Sequence, residues 1–248
     1  MRVLIISDIH ANMQALDACL EAFPAYDIVW NLGDVVGYGA NPNEAIARCR
    51  ELGKTFVRGN HDKACSGVTD LVGFNPVAAM AAIWTKKNLT PENLEWLKAL
   101  PQGPISPDIE LNVACVHGSP LDEDQYLINV HEATEPLLHP AARCTFFGHT
   151  HLQGAFLCHR NGVRRLNGAD PESNEEGIAL ENDVNYLINP GSVGQPRDGD
   201  WRAAFAWFDS ESLKLVFHRA AYDIERAQQR ILEANLPPRL ASRLAIGR

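Results

Sequence analysis

The N-terminal part of the chain alternates short apolar runs with segments whose apolar residues recur at helical spacing. Val3–Ile6 is a continuous run rich in β-branched residues, which is typical of a strand buried on both faces. The apolar residues of Met13–Leu20 recur instead at helical spacing. Strand, helix and strand at this distance predict parallel strands joined by right-handed crossovers. The same unit is predicted again downstream, as a strand at Ile28–Leu32, a helix from Pro42 to about Leu52 and a strand at Thr55–Val57.

The pattern changes along the rest of the chain. Residues 75–100 predict two helices, one beginning at Pro76 and the other at Thr90-Pro91-Glu92, which we expect to cover one edge of the sheet. In the second half, an Asn161-Gly162 pair is typical of a hairpin turn and predicts antiparallel strands. Residues 168–183 are polar and acidic, and predict a mobile loop. Further strands are predicted at Leu111–Val116, Thr145–Phe147, within Ala155–Leu166, and at Tyr186–Asn189, Ala203–Phe208 and Leu213–Phe217.

Length and charge narrow the class of protein. A chain of 248 residues is long enough to bury a substantial core, and we expect one domain over 1–248 with a helical insert at about 65–100. The formal net charge of -9 argues against a stable nucleic-acid complex or a membrane-surface binder. It does not exclude a phosphorylated substrate, because a bound divalent metal supplies local positive charge. The short apolar N-terminal run and the six scattered cysteines predict a soluble cytoplasmic protein with free thiols.

Potential metal ligands follow five of the predicted strands. The segment FFGHTHL carries two histidines two residues apart, whose side chains point to the same side of an extended chain. Each ligand-type residue taken alone has a structural explanation, such as a helix cap or a turn. Together, at the ends of strands where ligands gather, they predict a metal site of mixed oxygen and nitrogen donors suited to Mn, Fe, Zn, Ni or Co. The residues are Asp8, His10, Asp34, Asn60, His61, Asp62, His117, His149 and His151.

These motifs resemble those of the calcineurin-like metallophosphoesterases. The series is D-x-H, G-D, G-N-H-D, H-G and G-H-T-H, and the segment INPGSVGQPRDG at 188–199 is similar to the small bacterial and archaeal phosphodiesterase branch. The resemblance spans roughly Val3 to Phe217. It implies an α/β fold, namely a four-layer α/β/β/α sandwich with two mixed β-sheets. It also implies a dinuclear metal centre at the carboxyl ends of the strands.

The resemblance implies a role for each of these residues. It places two divalent ions, most simply Mn²⁺, on either side of Asp34, and it places His61 opposite the scissile phosphate as a charge stabiliser or proton donor. A metal-activated water would then attack phosphorus in line. The implied ligands of one metal are Asp8, His10, Asp34 and His151, and those of the other are Asp34, Asn60, His117 and His149.

The chain departs from the protein-phosphatase branch at one stretch. There G-D-x-x-D-R supplies an aspartate that pairs with the active histidine and an arginine that grips phosphate, whereas Gly37 and Tyr38 stand here. Either Asp62 or a backbone carbonyl is then left to orient His61. The departure favours a small phosphodiester or nucleotide-like substrate. The alternatives are a phosphomonoesterase or protein phosphatase with the same centre and, less favoured, a nuclease or a non-catalytic protein-binding scaffold.

The sequence gives weaker indications of which residues line the substrate pocket. Arg197 is expected either to bind a phosphate or a base edge, or to form a structural ion pair, which we favour, and Arg58 is expected to be structural. Tyr38 is expected to line the pocket, and Asn12 either to line it or to cap a helix. Two aromatic residues of the insert are expected either to wall the cleft or to pack in the core, namely Phe74 and Trp84.

Overall fold

The computed structural model describes residues 1–23, 25–53, 55–108, 110–168 and 177–248. Within these residues the strands are β1 (Arg2–Ile6), β2 (Ile28–Asn31), β3 (Thr55–Phe56), β4 (Val113–Cys115), β5 (Cys144–Phe146), β6 (Gly154–His159), β7 (Gly162–Asn167), β8 (Ile178–Ala179), β9 (Asn185–Asn189), β10 (Ala203–Asp209) and β11 (Lys214–Ala220). The helices are α1 (Met13–Ala22), α2 (Pro42–Leu52), α3 (Asn60–Ser66), α4 (Pro76–Asn88), α5 (Pro91–Lys98), α6 (Val130–Leu138), α7 (Ile224–Glu233) and α8 (Pro238–Leu244).

The strands form two mixed sheets. The first has the order β3-β2-β1-β10-β11-β8, in which β1, β2 and β3 run parallel and β10 runs antiparallel to β1. The second has the order β4-β5-β9-β6-β7, in which β4, β5 and β9 run parallel and β6 is antiparallel to β9. Each sheet therefore combines a parallel half with an antiparallel half, as predicted.

Alternation along the strands places three apolar cores between four layers. Val3 and Ile5 of β1 face the space between the two sheets, where Phe146 of β5 also lies. Leu4 and Ile6, one residue out of phase, face the helices α1, α2, α7 and α8. On the far side of the second sheet, α6 packs against Phe156, Leu187 and other residues. Because side chains alternate between the faces of a strand, this pattern produces the α/β/β/α sandwich that the sequence predicts.

The predicted helices of the insert are α4 and α5, both begun by proline after a capping side chain. Trp96 of α5 contacts Phe56 of the edge strand β3 edge-on, with ring centroids 5.3 Å apart, so α5 does cover an edge of the first sheet. Of the acidic stretch 168–183, residues 169–176 lie outside the described residues, and the prediction of a mobile loop stays untested there. The prediction is wrong at Ile178–Ala179, which pair with β11 as β8.

Three features of the fold have no counterpart in the sequence predictions: α3, α6 and the C-terminal pair α7 and α8. The six cysteines are free thiols, as predicted. In the part of the chain that the structure describes, no helix is long and apolar enough to cross a membrane.

Candidate metal centre

The predicted ligand residues come together at the carboxyl edge of the two sheets. They lie in the loops that follow β1, β2, β4 and β5 and at the start of α3, which follows β3. The side chains of Asp8, His10, Asp34, His117 and His151 are at most 2% exposed. The prediction that strand ends deliver them to one place is confirmed.

The first group contains Asp8, His10, Asp34 and His151, whose potential ligand atoms all lie within 4.8 Å of one another. His151 Nε2 is 3.3 Å from Asp8 Oδ1, and His10 Nε2 is 3.7 Å from Asp34 Oδ2. Two carboxylates and two imidazoles thus converge on one point.

The second group shares Asp34 with the first and adds His117 and His149. His117 Nε2 is 3.4 Å from Asp34 Oδ2 and 3.2 Å from Asn60 Oδ1. Asn60 is the first residue of α3. The two groups are those that the resemblance assigns to two metals, with Asp34 between them.

Backbone carbonyls orient the imidazole rings. His10 Nδ1 donates to Val36 O at 3.1 Å, His117 Nδ1 to Leu32 O at 2.8 Å and His151 Nδ1 to Gln195 O at 2.5 Å. A carbonyl can only accept, so in each neutral ring Nε2 carries the lone pair that faces the group. His149 is turned the other way, with Nε2 donating to the carbonyl of Asp124 at 3.0 Å.

In the first ligand group, three atoms that carry lone pairs face one another, and no described residue places a positive charge between them. The Nε2 atoms of His10 and His151 face each other at 3.2 Å, and both carry lone pairs because their Nδ1 atoms hold the protons. Asp8 Oδ1 is buried and receives no hydrogen bond in the described part of the chain. A divalent cation would satisfy all three atoms, so these residues fit a metal ion.

Burial and mutual charge shift the pKa values of the cluster in opposite directions. Burial lowers the pKa of His10 well below its usual value, against the opposing charge of Asp34, and burial with the charge of His117 lowers the pKa of His149 to about 3. Burial would also lower the pKa of His117, but the charge and hydrogen bonding of Asp34 outweigh it and raise that pKa to about 10. The oxygen atoms around His117 Nε2 therefore favour a positive charge at that point, which a metal ion would supply as well as a proton does.

The loops that carry the cluster hold uncommon backbone conformations. Asp8, His10, Asp34, His149 and His151 all have φ between 50° and 65°, in the left-handed region. Each such residue costs about 1–3 kcal/mol, so the surrounding structure must impose the geometry. Gly59 shows how closely the loops approach, because a Cβ there would lie 2.0 Å from Asp34 Oδ1.

The segment 188–199 supports these loops. Asn189 donates to Gly148 O at 2.8 Å and to Thr150 Oγ1 at 3.0 Å, and so fixes the turn that carries His149 and His151. Ser192 Oγ donates to the carbonyl of Asp8 at 2.8 Å. The motif that marked the resemblance thus acts by holding the ligand loops.

His61 lies beside the cluster, and its ring is held by packing. Its backbone N–H donates to Asp34 Oδ1 at 2.8 Å, while its ring centroid is 4.3 Å from that of Tyr38 and 5.0 Å from that of Phe74. Burial, more than the neighbouring charges, lowers its pKa to about 4. His61 Nδ1 is buried, and no described residue gives it a hydrogen-bond partner.

In the described part of the chain, neither Asp62 nor a backbone carbonyl hydrogen-bonds to His61 Nδ1, so the expectation that one of them orients the ring is not supported. The Asp62 oxygens instead accept from the backbone N–H groups of Val36 and Gly59, at 3.2 and 3.0 Å. Gly37 lies beside this nitrogen, since a Cβ there would be 2.6 Å from His61 Nδ1. The aspartate that the protein-phosphatase pattern places at this position would meet that nitrogen, and here its place is vacant.

Two of the expected pocket residues have different roles. Asn12 caps α1 by accepting from Ala15 N, and its amide nitrogen donates to Gly194 O at 3.0 Å. Both ends of its side chain are thus used internally, so the alternative as a helix cap is correct and its expected substrate contact is not supported. Trp84 packs against the helix-side core and is absent from the lining of the site's cavity.

The favoured expectation for Arg197, a structural ion pair, finds no support among the described residues. Among the described residues, no side-chain carboxylate lies within 4.0 Å of its guanidinium nitrogens. It donates to Gln195 Oε1 at 3.1 Å and bonds the Tyr126 hydroxyl, and its central carbon lies 6.0 Å from the Tyr38 ring centroid. Its positive charge therefore remains available beside the cluster. Arg58, by contrast, pairs with Glu123 at 2.9 Å and is structural, as predicted.

A cavity of about 360 Å³ opens beside the cluster. Asn60, His61 and His149 form its floor, and Tyr38 and Phe74 stand in its walls, as expected. The lining also includes Lys63, Thr69, Asp70, Val72, Gly73, Asn75, Ala78, Asp124 and Tyr126.

Sequence reasoning missed Tyr126 and the carbonyl acceptors of the histidines. The Tyr126 ring stacks on His149, with centroids 3.9 Å apart. It stands in a polar stretch with no periodicity, so no pattern marked it. Backbone carbonyls have no signature in a sequence at all.

Comparison with known proteins agrees with this site. The calcineurin-like phosphoesterase superfamily domain matches residues 1–212. The crystal structure of a metallophosphoesterase from Sphaerobacter thermophilus is 38% identical, with a TM-score of 0.85 over 100% of this chain and 99% of that one. An uncharacterized protein of Methanocaldococcus jannaschii is 37% identical over 99% of this chain and 98% of its own. A hypothetical protein of Pyrococcus horikoshii shares the fold, at 20% identity and a TM-score of 0.79 over 100% and 98% of the two chains.

The domain match covers most of the chain, and the two relatives above 30% identity cover nearly all of it. The same chain carries buried carboxylate and imidazole groups around Asp34 that could hold a metal ion. The chain belongs to the calcineurin-like phosphoesterase superfamily.

Proposed function

We propose that this protein is a dinuclear metal-dependent phosphoesterase that hydrolyses a small phosphodiester or nucleotide-like compound. The observation that carries the proposal is the pair of ligand groups that share Asp34 and border a cavity of about 360 Å³. Cavities of about 300–1,000 Å³ suit small-molecule ligands.

The ligand roles follow the two groups. Asp8, His10 and His151 would hold one divalent ion, His117, His149 and Asn60 the other, and Asp34 both. When bound, such ions lower the pKa of a water molecule and withdraw charge from the phosphoryl group. Mn²⁺ is our first choice, since carboxylate, amide and imidazole donors suit it, and Fe, Zn, Ni and Co are the alternatives.

The remaining residues of the cavity would bind and orient the substrate. His61 faces the cavity from outside the ligand set, where it would stabilise charge on the phosphoryl group or protonate the leaving oxygen. Arg197 supports the phosphate-binding alternative, because it lies beside the cluster without a carboxylate partner among the described residues.

The substrate class rests on the walls of the cavity. Gly37 and Tyr38 stand where the protein-phosphatase pattern has the aspartate that pairs with the active histidine and the arginine that grips the phosphate dianion. Tyr38, Phe74 and Tyr126 give the cavity an aromatic lining that suits a base. A scaffold function is disfavoured because every ligand-type residue and His61 are present.

The test is a panel of substrates and metals. We expect Mn²⁺-stimulated hydrolysis of bis-p-nitrophenyl phosphate, cyclic nucleotides and dinucleotides, at rates above those for phosphopeptides. Asp34→Asn should abolish the activity, while Asp17→Asn, which removes one exposed carboxylate from α1, should retain it. A preference for phosphopeptides or simple monoesters would refute the diester assignment, and absence of hydrolysis with every metal would favour the scaffold.

A further inference from the structure

A second cavity adjoins the first and is strongly basic. Its volume is about 750 Å³, and it shares Tyr38 and Asn75 with the cavity over the metal centre. Arg239, Arg243 and Arg248 line it, at and after the C-terminal helix α8. We call this space the arginine cavity. Its arginines lie beyond residue 212, where the match to the superfamily domain ends.

The charges of the arginine cavity are not neutralised by acidic side chains. No Asp or Glu is among its lining residues, and within the described ranges no such carboxylate lies within 4.0 Å of the guanidinium nitrogens of Arg239 or Arg243. Arg243 Nε donates to the main-chain oxygen of Arg248. Burial, with the charge of Arg197, lowers the pKa of Arg243. In a chain of net charge -9, three arginine side chains around one cavity form a local concentration of positive charge that attracts anions.

Tyr38 connects the arginine cavity to the metal centre. The central carbons of Arg197 and Arg243 lie 6.0 and 5.9 Å from its ring centroid, and its ring packs on His61 with centroids 4.3 Å apart. The two arginines are thus held around the residue that walls both cavities. A ligand that lies across Tyr38 would reach both the phosphate-facing His61 and the arginine cavity.

The N-terminus of α4 adds to the positive electrostatic potential of the arginine cavity. Asn75, Pro76 and Val77, at the N-terminus of this 13-residue helix, line the arginine cavity. The partial positive charge of a helix N-terminus favours anions. Arginine side chains and helix terminus therefore select the same sign of ligand charge.

We infer that the arginine cavity binds a second phosphate group of the substrate whose scissile phosphate lies at the metal centre. The inference rests on the proposed function and narrows its substrate class to compounds with two phosphate groups on either side of a nucleoside-sized spacer. A 5′-phosphorylated dinucleotide has this chemistry. Hydrogen bonds from arginine to phosphate are charge-assisted, so the second phosphate should raise kcat/KM by about 10- to 100-fold.

The test compares the dinucleotide ApA with its 5′-phosphorylated form pApA on the Mn²⁺-loaded protein. The wild type should cleave pApA with a kcat/KM at least about tenfold higher than that for ApA. The double variant Arg239→Gln, Arg243→Gln should bring this ratio close to one. Arg164→Gln, which removes an exposed arginine from β7, is the matched control and should keep both the activity and the ratio.

Two further measurements keep the inference testable. Arg243 is half-buried, so if the double variant is unstable, Arg239→Gln alone should reduce the ratio, since Arg239 is exposed. Release of two AMP molecules, or of adenosine and its 3′,5′-bisphosphate, identifies the diester as the scissile group. Release of inorganic phosphate would overturn the inference, because the terminal phosphate would then be the scissile one. A wild-type ratio near one, or a ratio unchanged in both arginine variants, would overturn the inference.

Failure of the proposed function has a different signature, which is absence of hydrolysis of both dinucleotides with every metal. Calorimetric affinities then decide the inference by themselves. Binding of pApA at least about tenfold tighter than ApA, and dependent on Arg239, would support the arginine cavity as a phosphate site. Equal affinities would overturn it.

Discussion

Gly37→Ala tests whether the position of the His61 ring matters for catalysis. The added methyl group would lie 2.6 Å from His61 Nδ1 and 3.1 Å from its Cβ and Cγ atoms. Carbon contacts are favourable only from about 3.5 Å, so the ring must move by about 1 Å. Tyr38, Phe74 and His10 enclose the ring on its other sides, with centroids 4.3–5.0 Å away, which leaves the cavity as the direction of movement.

The expected loss of turnover follows from this displacement. A misplacement of about 1 Å in a reacting group costs about 10²-fold in rate, which corresponds to about 2.7 kcal/mol of transition-state stabilisation. Metal content should stay near the wild-type level, because the three atoms nearest to the added methyl group all belong to His61, which is outside the ligand set. The assay is kcat for bis-p-nitrophenyl phosphate together with metal analysis of the same sample.

The backbone strain of the substitution needs its own control. Gly37 has φ of 90°, where an alanine costs about 1–2 kcal/mol whatever its surroundings. Gly162 in the β6–β7 hairpin has φ of 108° and open space around its Cβ position. Gly162→Ala should lower thermal stability to a similar degree and leave turnover unchanged. If both variants retain wild-type turnover within about threefold, the reasoning about His61 is refuted.

Three further predictions concern the metal centre. Removal of metal by a chelator should lower the melting temperature, and added Mn²⁺ should restore it. The reason is that a ligand at about 100 times its Kd adds about 2.7 kcal/mol to the free energy of unfolding. An unchanged melting curve would contradict a structural role for the ions. His61→Ala should cut turnover by about 10²–10⁴-fold with metal content nearly intact. Asp34→Asn should instead lose both ions. Equal metal loss in the two variants would show that the assignment of His61 to catalysis and Asp34 to metal binding is wrong. Asn189→Ala, which frees the turn at Gly148 and Thr150, should weaken Mn²⁺ binding by about 10–100-fold in a calorimetric titration; wild-type affinity would show that Asn189 does not support the ligand loops.

Much of the fold could be predicted because its strands are short and strongly patterned. Val3–Ile6 is apolar at every position, as a strand buried on both faces requires, and the structure divides its side chains between two cores. The C-terminal helices were missed although α7 and α8 bury residues at helical spacing, such as Ala227 with Ile231 and Leu240 with Leu244. The family resemblance ends near Phe217, so it implies nothing about α7 and α8, which follow that residue.

Some features of the candidate site could likewise be predicted from the sequence, and others could not. The ligand-type side chains could be predicted because they follow parallel strands, whose carboxyl ends meet at one edge. The lack of a partner for His61 Nδ1 among the described residues could not be predicted, because Asp62 is adjacent in sequence yet accepts from the backbone of Val36 and Gly59. The environment of Arg197 depends on contacts with Tyr126 and Tyr38, which are far from it in the chain.

The most direct test of the central claim is a crystal structure of the Mn²⁺-loaded protein with anomalous scattering recorded at the manganese edge. The account predicts two anomalous peaks, one on each side of the Asp34 carboxylate, the first among Asp8, His10 and His151 and the second between His117 and His149. A single peak, or peaks away from Asp34, would contradict it.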